Sequence, residues 1–70
     1  MKRKPVESSA LRSVGYDEEN QILEVEILET GRVYQYQNVP INEYVAFMQA
    51  PSIGWYYNKM IKERYEYEEK

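Results

Sequence analysis

The sequence predicts an α+β domain: a three-stranded antiparallel meander followed by two short helices packed on one face of the sheet. Three observations predict it. Leu23, Val25 and Ile27 alternate with Glu24 and Glu26, the period of a half-buried strand. Turn-forming clusters, Asp17–Gln21 and Glu29–Gly31, bracket that strand at hairpin distance. Beyond Pro40 the apolar spacing changes from two to three and four residues, which is helical.

The elements follow in order. Residues 1–7 hold three bases and a proline without periodicity, and read as a flexible basic tail. The first strand runs from Ala10 to Tyr16, with Leu11, Val14 and Tyr16 as its large residues. In the turn that follows, Asn20 is the residue best suited to a left-handed conformation. The second strand, Ile22 to Leu28, leads through Glu29-Thr30-Gly31 into a third, Arg32 to Gln37. Pro40 stops the ladder. Ile41, Tyr44, Val45 and Met48 then mark the inner face of a helix ending near Gln49. Ser52 is a helix-capping residue, Ile53, Tyr56, Tyr57, Met60 and Ile61 repeat the apolar stripe, and Lys59, Lys62, Glu63 and Arg64 read as the solvated side. The end of the chain, Tyr65 to Lys70, reads as frayed, and a single domain over residues 8–67 results, with 68–70 as its frayed C-terminus.

Register governs the aromatic centre, Tyr34-Gln35-Tyr36. A three-residue loop opposes Glu26 to Tyr34 and Glu24 to Tyr36, which puts both rings on the face away from Leu23, Val25 and Ile27. A two-residue loop, Thr30-Gly31, puts them on the apolar face instead. Thr-Gly is a weaker two-residue turn than Asn-Gly, so the first register is favoured. If Tyr16 pairs with Ile22, then Arg12, Val14 and Tyr16 share the tyrosine face. Ser13 and Gly15 then fall on the apolar face, small enough to admit a helix.

Composition narrows the function classes. The seventy residues contain no cysteine and no histidine. Disulfides, thiolate metal sites and the commonest general base and metal ligand are therefore missing, as is the nucleophile–histidine pairing of hydrolases. No cofactor, no metal site and no catalytic residue is expected. No apolar run is long enough for a bilayer, and the start of the chain lacks a signal-peptide core, so a cytoplasmic protein without membrane contact is expected. The net charge of −3 is unevenly spread. Lys2, Arg3, Lys4 and Arg12 outweigh Glu7 in the first sixteen residues, whereas Asp17 to Thr30 holds six acids and no base. Eight tyrosines must be buried or presented.

An ordered string of residues then resembles a known family. Ser8-Ser9 with Leu11, Val14-Gly15-Tyr16-Asp17, Leu23-x-Val25-x-Ile27, Gly31, Tyr34-Gln35-Tyr36, Val39-Pro40, Tyr44, Ala50, Ser52, Gly54, Tyr56, Asn58 and Ile61 together resemble the KTSC domain family. These are small bacterial and phage-associated domains, also found at the carboxy terminus of some lysyl-tRNA synthetases. The resemblance spans roughly Glu7 to Tyr67. It implies the same small α+β fold and, through the synthetase association, an RNA-binding role.

The residues themselves point to a binding module. Tyr34 and Tyr36, with Tyr16 beside them, are suited to stacking unpaired bases, and Arg12 and Arg32 to meeting phosphates. Glu24 and Glu26 on the same face oppose phosphate, or else neutralise those arginines. Trp55 lies off the apolar stripe of the second helix, near Gly54 and Asn58. It either packs under the preceding loop or is exposed for stacking. Single-stranded RNA is the leading expected partner. The alternative is a protein, including a second copy joined through the tyrosine face.

Overall fold

Five strands form one antiparallel sheet in the order β1-β2-β3-β4-β5. They are β1 (Lys4–Pro5), β2 (Leu11–Asp17), β3 (Ile22–Ile27), β4 (Val33–Tyr36) and β5 (Tyr67–Glu69). Between β4 and β5 come α1 (Ile41–Met48) and α2 (Ile53–Tyr56), the latter running on as a π-helical turn, Tyr57–Ile61. The structure is a computed structural model and describes residues 1–70. The central meander, β2-β3-β4, and the two helices stand where the sequence places them. Both edge strands are additions. β1 lies within the basic segment read as a flexible tail, and β5 within residues read as the frayed end of the chain. No helix is long and apolar enough to cross a membrane.

The β3–β4 register differs from the favoured expectation. Leu23 opposes Tyr36, Val25 opposes Tyr34 and Glu24 opposes Gln35. The loop has four residues: the Ile27 N–H donates to the Arg32 carbonyl and the Gly31 N–H to the Ile27 carbonyl, both at 2.8 Å. Gly31 takes the left-handed φ of +74° needed to close it. This register sets both tyrosines on the apolar face. The physical reason is complementary pairing on both faces at once. The rings lie beside Leu23 and Val25, while the Gln35 amide donates to Glu24 at 2.7 Å on the other side. Val33 consequently falls with Glu26 on the polar face.

β2 is corrected in the same way. Tyr16 opposes Leu23 and Val14 opposes Val25, so Val14 and Tyr16 share the tyrosine face, but that face is the covered one. A bulge between Leu11 and Ser13 turns Leu11 inward as well. Ser13 and Gly15 lie on the polar face, beside Glu26 and Glu24. Gly15 does admit a close neighbour there: a Cβ would sit 2.9 Å from the Lys2 carbonyl oxygen. The neighbour is the amino-terminal segment rather than a helix. In the β2–β3 turn, Gln21 rather than Asn20 is left-handed (φ 56°), because the Asn20 side chain is already bonded to the Asp17 carboxylate at 2.8 Å.

The core lies between the apolar sheet face and the helices. Its buried members are Leu11, Val14, Leu23, Val25, Tyr36, Val39, Phe47, Tyr57 and Ile61. α1 is rotated from its expected orientation. Phe47 is fully buried and Tyr44 stacks on Tyr16 with centroids 4.5 Å apart, whereas Ile41 and Val45 are 41% and 42% exposed. A phenylalanine ring buries more area than either aliphatic side chain, and its burial turns the helix. The second helix keeps its predicted stripe. Ser52 Oγ caps it by accepting the Trp55 N–H at 3.2 Å.

Candidate ligand-binding cleft

The helices do not cover the whole apolar face. At the β4–β5 side the second helix stands away from the sheet and leaves a cleft of about 880 Å³. Ile27, Tyr34, Tyr36 and Tyr67 line it from the sheet, and Tyr57 from the helix. Arg32, Thr30 and Glu29 from the β3–β4 loop border it, as do Asn58, Lys59, Lys62 and Glu63 from the helix. The helical wall is its π-turn, where the Lys62 N–H reaches back five residues to the Tyr57 carbonyl at 2.8 Å. Such widened turns recur at functional sites because the extra residue re-aims the side chains around it.

Four rings make the aromatic lining. Tyr34 and Tyr67 meet edge to face with centroids 5.2 Å apart, Tyr36 and Tyr67 lie 5.5 Å apart, and Tyr36 and Tyr57 meet edge to face at 5.9 Å. The Tyr36 and Tyr57 hydroxyls share one hydrogen bond of 2.7 Å. Burial pushes both phenols above their ordinary pKa of 10.0, Tyr36 the further, so both are neutral at physiological pH. Tyr67 remains 55% exposed and Tyr34 half-buried.

The cleft border carries unpaired charge of both signs, Lys59 and Lys62 with Glu29 and Glu63. Arg32 faces Glu69 at 3.8 Å. Lys59 and Lys62 make no ion pair with any carboxylate. No group of three or more carboxylates is placed to hold a metal ion.

The residues singled out in the sequence separate into two sets. Arg32, Tyr34, Tyr36 and Asn58 come together at the cleft, and Trp55 stands one helical turn before Asn58 and Lys59, 58% exposed. The reading in which Trp55 packs under the preceding loop does not hold. Gly54 does allow close approach, since a Cβ there would meet Ala10 Cβ at 3.3 Å. Tyr16 is not available to a partner: it stacks on Tyr44 and donates to the Val39 carbonyl. Arg12 belongs to the opposite face, 3.8 Å from Glu26. Glu24 and Glu26 therefore do not share a face with the tyrosines. They belong to a network in which Arg3 donates to Glu24 and to Ser13 Oγ, and Ser13 donates to Glu26 at 2.9 Å. Tyr57, Tyr67, Lys59 and Lys62 were missed as site residues. The first was assigned to the core stripe, the second to a frayed end, and the lysines to a solvated surface. The pairing of β5 with β4 sets Tyr67 beside Tyr36, across the cleft from the helical residues.

The sequence profile described as the KTSC domain matches residues 7–65. An uncharacterized protein of Stutzerimonas stutzeri is 46% identical over 96% of this chain and 94% of its own length. A lysine–tRNA ligase of Nostoc punctiforme is 33% identical over 90% of this chain, which corresponds to 11% of the ligase. The crystal structure of a KTSC domain protein from Yersinia pestis superposes with a TM-score of 0.93 at 38% identity, covering 99% of this chain and 96% of that one.

Proposed function

The chain belongs to the KTSC domain family, and on that premise we propose that it is a non-enzymatic binding domain whose cleft takes single-stranded RNA. The observation that carries this reading is the meeting of the tyrosine lining with two unpaired lysines, Lys59 and Lys62, in one cleft. Rings supply faces for unstacked bases, each worth about 1–3 kcal/mol, and lysines supply phosphate contacts. The similar segment within proteins named lysine–tRNA ligase supports the same ligand class, since that name specifies an RNA substrate. The side chains support the non-enzymatic reading. Ser8 Oγ accepts the Ala10 and Leu11 N–H groups, Ser13 sits in the Arg3 network and Ser52 caps a helix, so three of the four serines have structural work.

The test is an amide-resolved NMR titration with short single-stranded RNA at low and moderate salt. Shifts should map to Tyr34–Tyr36, Tyr57–Lys62 and Tyr67. Replacing Lys59 and Lys62 together by Ala should weaken binding and flatten its salt dependence by roughly one phosphate contact or more. An absence of shifts around the cleft at low salt would sink the reading.

A second reading, protein recognition, has its own observation. Glu43 is the single charge of α1 and is turned inward to the Tyr56 and Tyr65 hydroxyls. The outer face, with Ile41 and Val45, is therefore uncharged, as the centres of protein interfaces tend to be. Self-association through it should appear in sedimentation at high concentration and vanish in Val45→Asp; a monomer throughout argues against it.

A further inference from the structure

The cleft differs from the rest of the molecule in the polarity of its hydrogen-bonding groups. Of the four tyrosines elsewhere, three have given their protons to protein acceptors: Tyr16 to the Val39 carbonyl, Tyr56 and Tyr65 to the Glu43 carboxylate; Tyr44 stacks on Tyr16 without such a bond. Those of the cleft have not. Tyr34 and Tyr67 find no protein acceptor for their hydroxyl protons. The Tyr36 and Tyr57 hydroxyls bond to each other at the buried inner wall of the cleft. Lys59 and Lys62 add groups that donate only. Set against these donors are two carboxylates, Glu29 and Glu63.

A ligand that suits this lining is flat enough to lie against the rings and rich in acceptors. The RNA bases differ in that respect. Uracil offers two carbonyl oxygens and one N–H. Adenine, cytosine and guanine each carry one exocyclic amine on the pairing edge. Those amines would meet hydroxyl and ammonium donors. We infer that the cleft selects uracil, its carbonyl oxygens accepting from the hydroxyls of Tyr34 and Tyr67. The inference rests on the RNA reading and specifies which base that reading places in the cleft. Selection by these groups runs against simple stacking, which favours purines through their larger rings.

Binding of labelled short oligouridine, oligocytidine and oligoadenosine to the intact chain, followed by fluorescence anisotropy, tests it. Oligouridine should bind about tenfold more tightly than oligoadenosine, the effect of one or two neutral hydrogen bonds won or lost. The variant Y34F/Y67F keeps both rings and removes two donors. It should lose most of the oligouridine advantage while its affinity for oligoadenosine stays within twofold. Tyr67 is half exposed, so Y67F alone provides the same comparison if the double variant folds poorly, with a smaller loss. Equal or tighter binding of oligoadenosine, still weakened by loss of Lys59 and Lys62, would overturn uracil selection and leave the RNA reading standing. A uridine preference that survives Y34F/Y67F would overturn the role of the hydroxyls. Failure of every oligomer to bind at low salt would overturn both.

Discussion

At the scale of residues, the Tyr36–Tyr57 hydroxyl pair is the interaction whose removal is most informative. Tyr36 is 2% exposed and Tyr57 3%, and each is the other's hydrogen-bond partner. Tyr57→Phe leaves the Tyr36 hydroxyl without that partner and should cost about 1–3 kcal/mol. Tyr36→Phe should cost a similar amount for the same reason. The double substitution should cost less than the sum of the two, because it removes both polar groups and leaves neither stranded. Urea unfolding of the four proteins measures the coupling; strict additivity would mean that the bond contributes nothing. Some residue roles needed only local rules. Ser52 precedes an apolar helical stripe and caps it, and Gly54 lies where a helix must approach a loop. Phe47 was not legible. The apolar residues of α1 fit two overlapping stripes, and the choice between them is made by a ring fitting into a core that local sequence does not describe.

At the scale of elements, the strands were legible from period and the registers were not. A strand needs only alternation, whereas register depends on which loop length satisfies both sheet faces together. Here four loop residues do so, placing Gln35 against Glu24 and the tyrosines against Leu23 and Val25. The edge strands were illegible for another reason: β1 and β5 hold two and three residues, mostly charged, and are held by their partners. β1 in particular depends on Arg3. Its guanidinium bonds to Glu24, which is 7% exposed, and to Ser13. Burial of Glu24 raises its pKa, but the bonds from Gln35 and Arg3 outweigh burial and hold the carboxyl below its ordinary value. Arg3→Ala should therefore destabilise the fold by about 1–2 kcal/mol, less than a fully buried pair would, since the arginine is partly open to solvent. It should also release β1, seen as faster amide exchange at residues 4–6. Unchanged stability with β1 still protected would show that backbone pairing alone retains the strand.

At the scale of the whole molecule, the titrating groups define a window of pH in which the fold is most stable. The acid limit comes from carboxyls whose folded pKa is lowered. Asp17 is held down by the bonds from Asn20, and Glu24 by Gln35 and Arg3 acting against burial. A lowered folded pKa means stability that is present above the unfolded value, near 4.5 for Glu24, and lost as pH falls below it. The alkaline limit comes from tyrosines. Burial raises Tyr16, Tyr36, Tyr57 and Tyr65, the last to about 12, and the bond to Glu43 raises Tyr56. A raised folded pKa means stability that is complete below the unfolded value of 10.0 and lost as pH climbs through the folded values. Urea midpoints should thus be level between the two limits and fall on either side. Glu24→Gln removes one titrating carboxyl and should flatten the acid limb while leaving the alkaline limb unchanged. Phenolate absorbance supplies the matching observation, because five of the eight tyrosines should resist ionisation at pH 10 while the fold persists. All eight ionising together near pH 10 in the folded protein would mean that Tyr36 and Tyr57 are open to water, and the inner wall of the cleft would then lack the buried hydroxyl pair that fixes its two rings.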